Sequence, residues 1–209
     1  MKNKFNKFSV PLGLLDYINP ICYMITMIVI LKRLSKVIET PYVVLFIGAV
    51  ISIIFGFVIP TLKVLIGLKK IKFKMPVNLV FIVNSGILLS GLMILRYVFG
   101  IQLLLLLILF IILSLLSIVY IKTKKFNTVA VLTGAFGYLM IYISLITLSI
   151  RYHLVLPIIM YAVAIILFLF LCGIGIKANL KNPKVHWIIE SCNILCQLLV
   201  AIGTIILFN

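Results

Sequence analysis

The apolar residues of the chain fall into seven long runs that are separated by short polar or basic segments. Each run is about 20 residues long, enough for an α-helix to cross a hydrocarbon core of about 30 Å. The runs predict membrane spans, numbered 1 to 7, at residues 11–31, 41–62, 76–95, 101–121, 128–150, 154–176 and 185–208. The pattern therefore predicts an all-α polytopic membrane protein with seven transmembrane helices. Because the loops are short, residues 1–209 are expected to form a single transmembrane domain.

The composition agrees with a membrane protein and limits the kinds of partner that we expect. The chain is 65% hydrophobic and 11% charged, with a mean hydropathy of +1.39, which is too much apolar surface for a soluble domain to bury. Its net charge of +16 could suggest nucleic acid, but the basic residues form short clusters between the apolar runs. Such clusters are typical of contacts with lipid headgroups. We expect membrane lipids and a small solute as partners, and no nucleic acid.

The basic residues also predict the orientation of the chain. Counted over alternate loops and the termini, 14 Lys and Arg lie on the side of the N-terminus and 5 on the other side. The positive-inside rule therefore predicts a cytoplasmic N-terminus and an external C-terminus in the plasma membrane. The loop LKRLSKVIETP after span 1 is an exception to this bias. The first apolar run lacks a small-residue cleavage site, so we expect it to remain as span 1.

Span 7 carries a polar strip within an otherwise apolar run. His186, Glu190, Asn193 and Gln197 stand at offsets 0, 4, 7 and 11, which places them within about 60° on an α-helix. Thr204, at offset 18, returns to the same line. Polar groups inside a membrane are costly, by about 2 to 3 kcal/mol for a charge at mid-depth, so a strip of them predicts a function.

Other spans carry polar groups at similar depths. Span 1 has a polar face formed by Asp16, Asn19, Tyr23 and Thr26. Spans 3 and 5 add Asn84, Ser85, Gly134 and Tyr138. Spans 1, 3, 5 and 7 run in the same direction, and at about 1.5 Å per residue these groups lie about 8 to 12 Å from the cytoplasmic edge or slightly deeper. This coincidence predicts a polar site between the four spans.

Asp16 and Glu190 are the only acids within the predicted spans. A membrane-embedded acid is either protonated or paired with a cation. His186 lies one turn before Glu190 and is a candidate partner or proton relay for it. In the alternative interpretation, His186 and Trp187 anchor span 7 at the interface. Glu190 would then cap a helix contact or meet a Lys from a cytoplasmic loop.

The second span carries a row of small residues. Gly48, Ser52, Gly56 and Pro60 are spaced by four, which predicts a seam against which another helix backbone packs closely. Pro60 is also a candidate kink, which would accommodate an apolar run that continues to Leu68.

Two pairs of similar segments suggest an internal duplication. The pairs are IGLKKIKFKMP at 66–76 with IGIKANLKNP at 174–183, and KFSV at 7–10 with KFNT at 125–128. They predict parallel three-helix repeats, 7–96 and 125–208, joined by the Leu-rich helix 101–121, which we expect to face lipid. Parallel repeats are a known plan of transporters, with binding sites between the halves near mid-membrane.

This plan of three helices, a linker helix and three helices resembles the SWEET and PQ-loop class of small transporters. The resemblance covers architecture alone. The Pro-Gln pair that names the class is absent: Asn19-Pro20 is the nearest feature in span 1, and Gly137-Tyr138 stands at the matching place in span 5. The predicted orientation is also opposite to that usual for SWEETs. No functional residue is therefore carried over from this class.

Several kinds of chemistry are disfavoured. Every Lys is predicted in a loop or at a span end, which disfavours a retinal attachment site. The two histidines, His153 and His186, are predicted on opposite sides, which disfavours a zinc hydrolase site. The four cysteines form no CxxC pair, and the chain has neither a nucleophile elbow nor a phosphate loop. We therefore expect neither an enzyme nor a bound metal or cofactor.

The sequence favours a small transporter or facilitator of a small polar or cationic solute, with proton coupling as one option. The predicted binding residues are Asp16, Asn19, Tyr23, Asn84, Ser85, Tyr138, Glu190, Asn193 and Gln197. The alternative is a non-catalytic membrane subunit, sensor or immunity protein whose polar helix faces bind a partner. A partner-binding strip should face lipid in the isolated chain, whereas a transport strip should face inward. A homo-oligomer and a partner membrane subunit are both left open.

Overall fold

A computed structural model describes residues 9–35, 40–68, 77–122, 126–177 and 183–209. Within these ranges the chain forms eight α-helices and no strand. The helices are α1 (Val10–Leu15), α2 (Ile18–Leu34), α3 (Thr40–Gly67), α4 (Val77–Phe99), α5 (Leu103–Lys122), α6 (Phe126–Arg151), α7 (Val155–Lys177) and α8 (Pro183–Phe208). The predicted all-helical class is confirmed.

Six segments of the described chain are long and apolar enough to cross a membrane. They are Val10–Leu34, Tyr42–Gly67, Leu79–Phe99, Thr133–Arg151, Val155–Gly173 and Val185–Phe208. These segments match predicted spans 1, 2, 3, 5, 6 and 7 and support a multi-pass membrane protein. Span 4 corresponds to α5. In the part of α5 whose side chains the structure describes, the apolar stretch covers Leu103–Leu116. The whole of α5 has 20 residues, a length of about 30 Å.

Span 1 is broken into two helices at Asp16. The backbone N–H groups of Tyr17 and Asn19 bond to the carbonyls of Leu14 and Asp16, three residues back, so the chain tightens here into a turn. Pro20 explains the break, because proline has no N–H to donate to the carbonyl four residues earlier and its ring would clash with that carbonyl. At the start of α2 the same proline is tolerated. The break gives Asp16 a place at a helix end.

The second span is longer than predicted. It was expected to end at residue 62, but α3 has 28 residues and continues through Pro60 to Gly67. Lys63 therefore lies in α3 and not in the loop after it, four residues before the end of the candidate span Tyr42–Gly67. This position agrees with the prediction that every Lys lies in a loop or at a span end, because the end of the span moves from residue 62 to Gly67. The residues after Lys63, VLIG, are apolar and continue the helix.

Six of the helices form a closed ring. Going round it, α2 packs against α3, α3 against α4, α4 against α6, α6 against α7, α7 against α8, and α8 against α2. The short helix α1 packs against α3 and α8. Fully buried side chains such as Met27, Leu92, Leu145 and Val200 fill the ring in the C-terminal halves of α2, α4, α6 and α8.

Helix α5 lies outside the ring, against α4 and α6. Leu106 is buried, whereas Leu104, Ile111 and Leu115 are each more than half exposed. Such exposure of large apolar side chains suits a helix that faces lipid, as the even distribution of leucine along it predicted.

The small residues of α3 form the predicted seam. A Cβ on Gly48 would lie 3.0 Å from the carbonyl oxygen of Gly86 in α4, and a Cβ on Gly86 would meet the Ser52 hydroxyl. Gly56 faces Pro20 of α2. The backbones of α3 and α4 therefore approach to a distance that a larger side chain would prevent.

Helices α4 and α6 also approach closely, at Gly91 and Gly137. A Cβ on Gly91 would lie 2.5 Å from the carbonyl oxygen of Gly137, and a Cβ on Gly137 would lie 2.7 Å from the backbone nitrogen of Leu88. Backbone atoms cannot turn aside as a flexible side chain can. A methyl group at either position must therefore push the two helices apart.

We expect Gly91→Ala to lower the free energy of unfolding by about 2 kcal/mol, because overpacking of a tight contact costs about 1 to 3 kcal/mol. The matched control is Gly173→Ala in α7, where an added Cβ meets no described atom within 4 Å. The control should be neutral or slightly stabilising, since Ala favours helix interiors over Gly. Denaturant titration of the purified protein in mixed micelles measures both. Equal stability of the two variants would contradict the close packing of α4 on α6.

Candidate functional site

A lysine and two carboxylates meet inside the ring. The Lys63 Nζ donates to Asp16 Oδ2 at 2.6 Å and to Glu190 Oε1 at 2.8 Å. The three side chains are only 13%, 10% and 11% exposed, respectively. One cation therefore joins three separate elements, namely α3, the turn between α1 and α2, and α8.

Asn19 completes this arrangement from the first turn of α2. Its Nδ2 donates to Asp16 Oδ1 at 2.9 Å and to Glu190 Oε2 at 3.4 Å. All four carboxylate oxygens thus accept a hydrogen bond. We call Asp16, Asn19, Lys63 and Glu190 the Lys63 cluster. With its three ionisable groups charged, the cluster has two negative charges and one positive charge.

Local sequence explains how each member arrives. The break at Pro20 leaves Asp16 at a helix end, three residues before Asn19, so the two side chains meet. Glu190 belongs to the polar strip of α8, which faces the inside of the ring. Lys63 reaches the site because α3 continues past Pro60. Burying these charges is tolerable only because each one is paired.

The cluster changes the interpretation of the embedded acids. Of the two states considered for them, pairing with a cation is the observed one. In the alternative interpretation, Glu190 meets a Lys from a cytoplasmic loop, and a lysine is indeed its partner. The partner, however, is Lys63 of a membrane-spanning helix. Helix α3 was not among the four spans predicted to form the site, yet it supplies the cation that pairs with both acids.

A cavity of about 140 Å³ adjoins the cluster. We call it the carboxylate cavity. Its walls are Asp16, Asn19, Pro20, Tyr23, Ser52, Gly56, Ile59, Val83, Ile87, Tyr138 and Asn193. Two of its buried polar atoms, Asn19 Oδ1 and the Tyr23 hydroxyl oxygen, have no hydrogen-bond partner among the described residues. Tyr23 is only 4% exposed, so its hydroxyl oxygen is cut off from the surroundings of the protein.

A second cavity, of about 230 Å³, lies between α4, α6, α7 and α8. We call it the apolar cavity. Its walls are Val80, Asn84, Gly134, Ala135, Tyr138, Phe168, Leu171, Cys172, Ile189 and Asn193. Asn84 and Gly134 face each other here, and a Cβ on Gly134 would lie 2.7 Å from Asn84 Oδ1. The two cavities are neighbours, because Tyr138 and Asn193 line both of them.

Aromatic rings surround the boundary between the cavities. The ring of Tyr138 lies 6.3 Å from that of Tyr23, edge to face, 5.8 Å from Tyr142 and 5.5 Å from Phe168. Tyr142 and Phe168 are also edge to face, at 6.0 Å. Such tilted pairs are favourable packing arrangements of aromatic rings. Tyr138 is therefore held firmly at the boundary.

The predicted binding residues occupy several different places. Asp16, Asn19, Tyr23, Tyr138 and Asn193 line the carboxylate cavity, and Asn84 lines the apolar cavity. Their role as binding residues stays a prediction.

Four other predicted residues lie away from these walls. Glu190 bonds to Lys63 and Asn19 and lines neither cavity. Ser85 and Gln197 are also absent from both walls, and the Gln197 side chain lies beside Tyr138. His186 is half-buried, and its part in a proton relay stays a prediction.

The sequence matches no protein-family model, no curated protein and no solved structure.

Sequence reasoning missed Lys63 and the wall supplied by α7. The signal for Lys63 was present: five apolar residues, VLIGL, follow it and separate it from the basic cluster that begins at Lys69. Phe168, Leu171 and Cys172 gave no signal, because apolar residues on an apolar helix do not reveal which face lines a cavity.

We expect Lys63→Met to lower the free energy of unfolding by about 3 kcal/mol, because loss of one partner from a buried ion pair leaves an uncompensated charge. Asp16 and Glu190 would then repel each other. The control is Lys32→Met, an exposed lysine in the last turn of α2. It should change the same quantity by less than about 0.5 kcal/mol. Denaturant titration in mixed micelles compares the two variants, and equal losses would contradict a structural ion cluster.

Proposed function

We propose that the protein is a small transporter or facilitator that moves a small polar or cationic solute across the cytoplasmic membrane. The observation that carries this proposal is the carboxylate cavity inside the ring, with Asp16 and Asn19 in its wall and Lys63 and Glu190 next to it. A cavity lined by polar groups among apolar helices is costly to build, and in membrane proteins such groups mark solute and ion pathways.

The direction of the polar strips supports a solute site over a partner-binding surface. On α2, Tyr23 and Thr26 are buried, and on α8, Glu190, Gln197 and Thr204 are buried. These faces turn toward the inside of the ring in the isolated chain. A membrane subunit, sensor or immunity protein that binds its partner through these faces would need them on the outside. The transporter is therefore the better-supported candidate.

The packing of the ring suits alternating access. Fully buried side chains close the ring in the C-terminal halves of α2, α4, α6 and α8. In α6 these side chains follow Tyr142 along the chain. The cavities lie at residues nearer the N-terminal ends of the same helices. A protein with its cytoplasmic N-terminus, as the basic residues predict, would therefore have its cavities in the cytoplasmic half. The packed half would be the closed gate of this state.

The order of helices in the ring supports the suggested duplication. Two consecutive groups of three, α2–α3–α4 and α6–α7–α8, follow each other round the ring, with α5 outside. Parallel three-helix repeats about an axis along the membrane normal would have this order. Most of the loop residues that suggested the repeat, including 69–76 and 178–182, lie outside the described residues.

The charges of the Lys63 cluster favour a cationic solute or a coupled proton. Two carboxylates share one ammonium group, so the fully ionised cluster has a net charge of −1. A cation that enters the carboxylate cavity beside Asp16 would neutralise this charge. A proton taken up by one carboxylate would do the same and would weaken its bond to Lys63. Either event would couple occupancy of the site to the contacts between α3 and α8.

To test transport, the full chain is reconstituted in liposomes on a solid-supported membrane. Concentration jumps of methylammonium, potassium, glycine and glycerol are applied with and without a proton gradient. We expect a current, absent from protein-free liposomes, for at least one cationic or proton-coupled probe. Because Glu190→Gln removes a charge of the cluster, it should change that current about tenfold or more.

The control is Arg151→Gln, which removes an exposed charge at the end of α6. It should leave the current unchanged. Currents no larger than those of protein-free liposomes for every probe would contradict transport of a cation and proton-coupled transport. Equal currents in the wild-type protein and Glu190→Gln would remove the cluster from the transport mechanism.

A further inference from the structure

The two neighbouring cavities differ in chemistry. The carboxylate cavity has a carboxylate, an amide and a tyrosine hydroxyl in its wall, from Asp16, Asn19 and Tyr23. The apolar cavity is lined mainly by aliphatic and aromatic side chains, including Phe168 and Leu171. A ligand that fills both would need a polar end and an apolar body.

The polar end is defined by hydrogen-bonding atoms that lack partners among the residues that the structure describes. Asn19 Oδ1 can only accept a hydrogen bond, and the Tyr23 hydroxyl can accept or donate one. Neither has a partner among the described residues, although the hydroxyls of Ser52 and Ser90 are polar neighbours of Tyr23. Both serines donate to carbonyl oxygens of their own helices. Together with the Asp16 carboxylate, these atoms favour a ligand that is a hydrogen-bond donor with positive charge.

The aromatic rings at the boundary favour the same charge. Tyr138 stands in the wall of both cavities, with Tyr23 and Phe168 within 6.3 Å of its ring. The faces of aromatic rings attract ammonium groups, and several rings together form the cages that recognise organic ammonium ligands.

The apolar cavity has room for a ring-sized body. Its volume is about 230 Å³, and an apolar cavity of about 150 Å³ is enough to bind benzene. Phe168, Leu171 and Ile189 supply an apolar wall for such a group. Burial of an apolar body here would add affinity that an inorganic cation cannot gain.

We infer that the two cavities form one binding site for an organic ammonium ion with a short apolar body. The ammonium group lies in the carboxylate cavity, against Asp16, Asn19 and Tyr23. The apolar body lies in the apolar cavity, and the ligand passes between Tyr138 and Asn193. This assignment rests on the proposed transport function and names its substrate class. Binding, however, is measured without transport.

The test is isothermal titration calorimetry of the purified full chain in detergent with three probes. These are 2-phenylethylammonium, which has both parts, methylammonium, which lacks the apolar body, and 2-phenylethanol, which lacks the charge. We expect 2-phenylethylammonium to bind at least about tenfold more tightly than either of the other two. Titration into detergent without protein corrects for partition into micelles.

Tyr23→Phe tests the polar end. The substitution removes a hydroxyl that has no hydrogen-bond partner within the described ranges, so the protein should fold at least as stably as the wild type. It should also lower the affinity for 2-phenylethylammonium about tenfold. The matched control is Tyr161→Phe, which removes the hydroxyl of another buried tyrosine that bonds to Thr204 and lines neither cavity. The control should keep wild-type affinity.

Cys172→Phe tests the apolar end by a separate route, since the larger side chain would occupy the apolar cavity. It should abolish the advantage of 2-phenylethylammonium over methylammonium. The inference is overturned if 2-phenylethanol binds as tightly as 2-phenylethylammonium. It is also overturned if neither Tyr23→Phe nor Cys172→Phe weakens binding, or if Tyr161→Phe weakens it as much as Tyr23→Phe.

The outcomes separate this inference from transport itself. Binding of 2-phenylethylammonium with the expected variant effects, but without a current in liposomes when 2-phenylethylammonium itself or any of the four transport probes is applied, would uphold the site and contradict the transport proposal. A current carried by another solute, with no binding of 2-phenylethylammonium, would uphold transport and overturn the inference.

Discussion

A charge buried among apolar helices must be paired, and in this protein that requirement falls on Lys63. Its ammonium group contacts Asp16 and Glu190, which come from opposite ends of the sequence. The contacts join α3 to the turn between α1 and α2 and to α8, at the point where the ring closes. Packing of apolar side chains does not fix one relative orientation of the helices, whereas ion pairs and hydrogen bonds require a particular geometry. The cluster therefore specifies how the first and last spans meet.

The same requirement links the fold to the proposed function. A cluster with two acids and one base is stable as a resting state, but its charges do not cancel. In the proposed function, the adjoining carboxylate cavity would give a further cation access to Asp16. Asn19 Oδ1 and the Tyr23 hydroxyl, which have no partner in the described part of the chain, would offer it hydrogen bonds. Occupancy by a solute would alter the balance of charge around Lys63. The contacts that close the ring are thus those that a bound cation would change.

Much of the fold follows from the sequence, because apolar runs of about 20 residues have few structures open to them in a membrane. The inward strips of α2 and α8 follow from helical periodicity, and the seam of Gly48 and Ser52 from small-residue spacing. Lys63 was not predicted at the site because its charge was taken to end the span at residue 62, although apolar residues follow it. The wall of α7 was not predictable, since an apolar helix shows no preferred face. Asn84 and Gly134 were expected at similar distances from the cytoplasmic ends of their helices, and in the structure they face each other.

The coupling free energy between Lys63 and Glu190 tests the central claim most directly. It is obtained from the unfolding free energies of the wild type, Lys63→Met, Glu190→Gln and the double variant, measured in the same mixed micelles. A buried ion pair predicts that the double variant loses less stability than the two single variants together, by about 2 kcal/mol. Losses that add within about 0.5 kcal/mol would show that the two residues act independently, and would contradict the account.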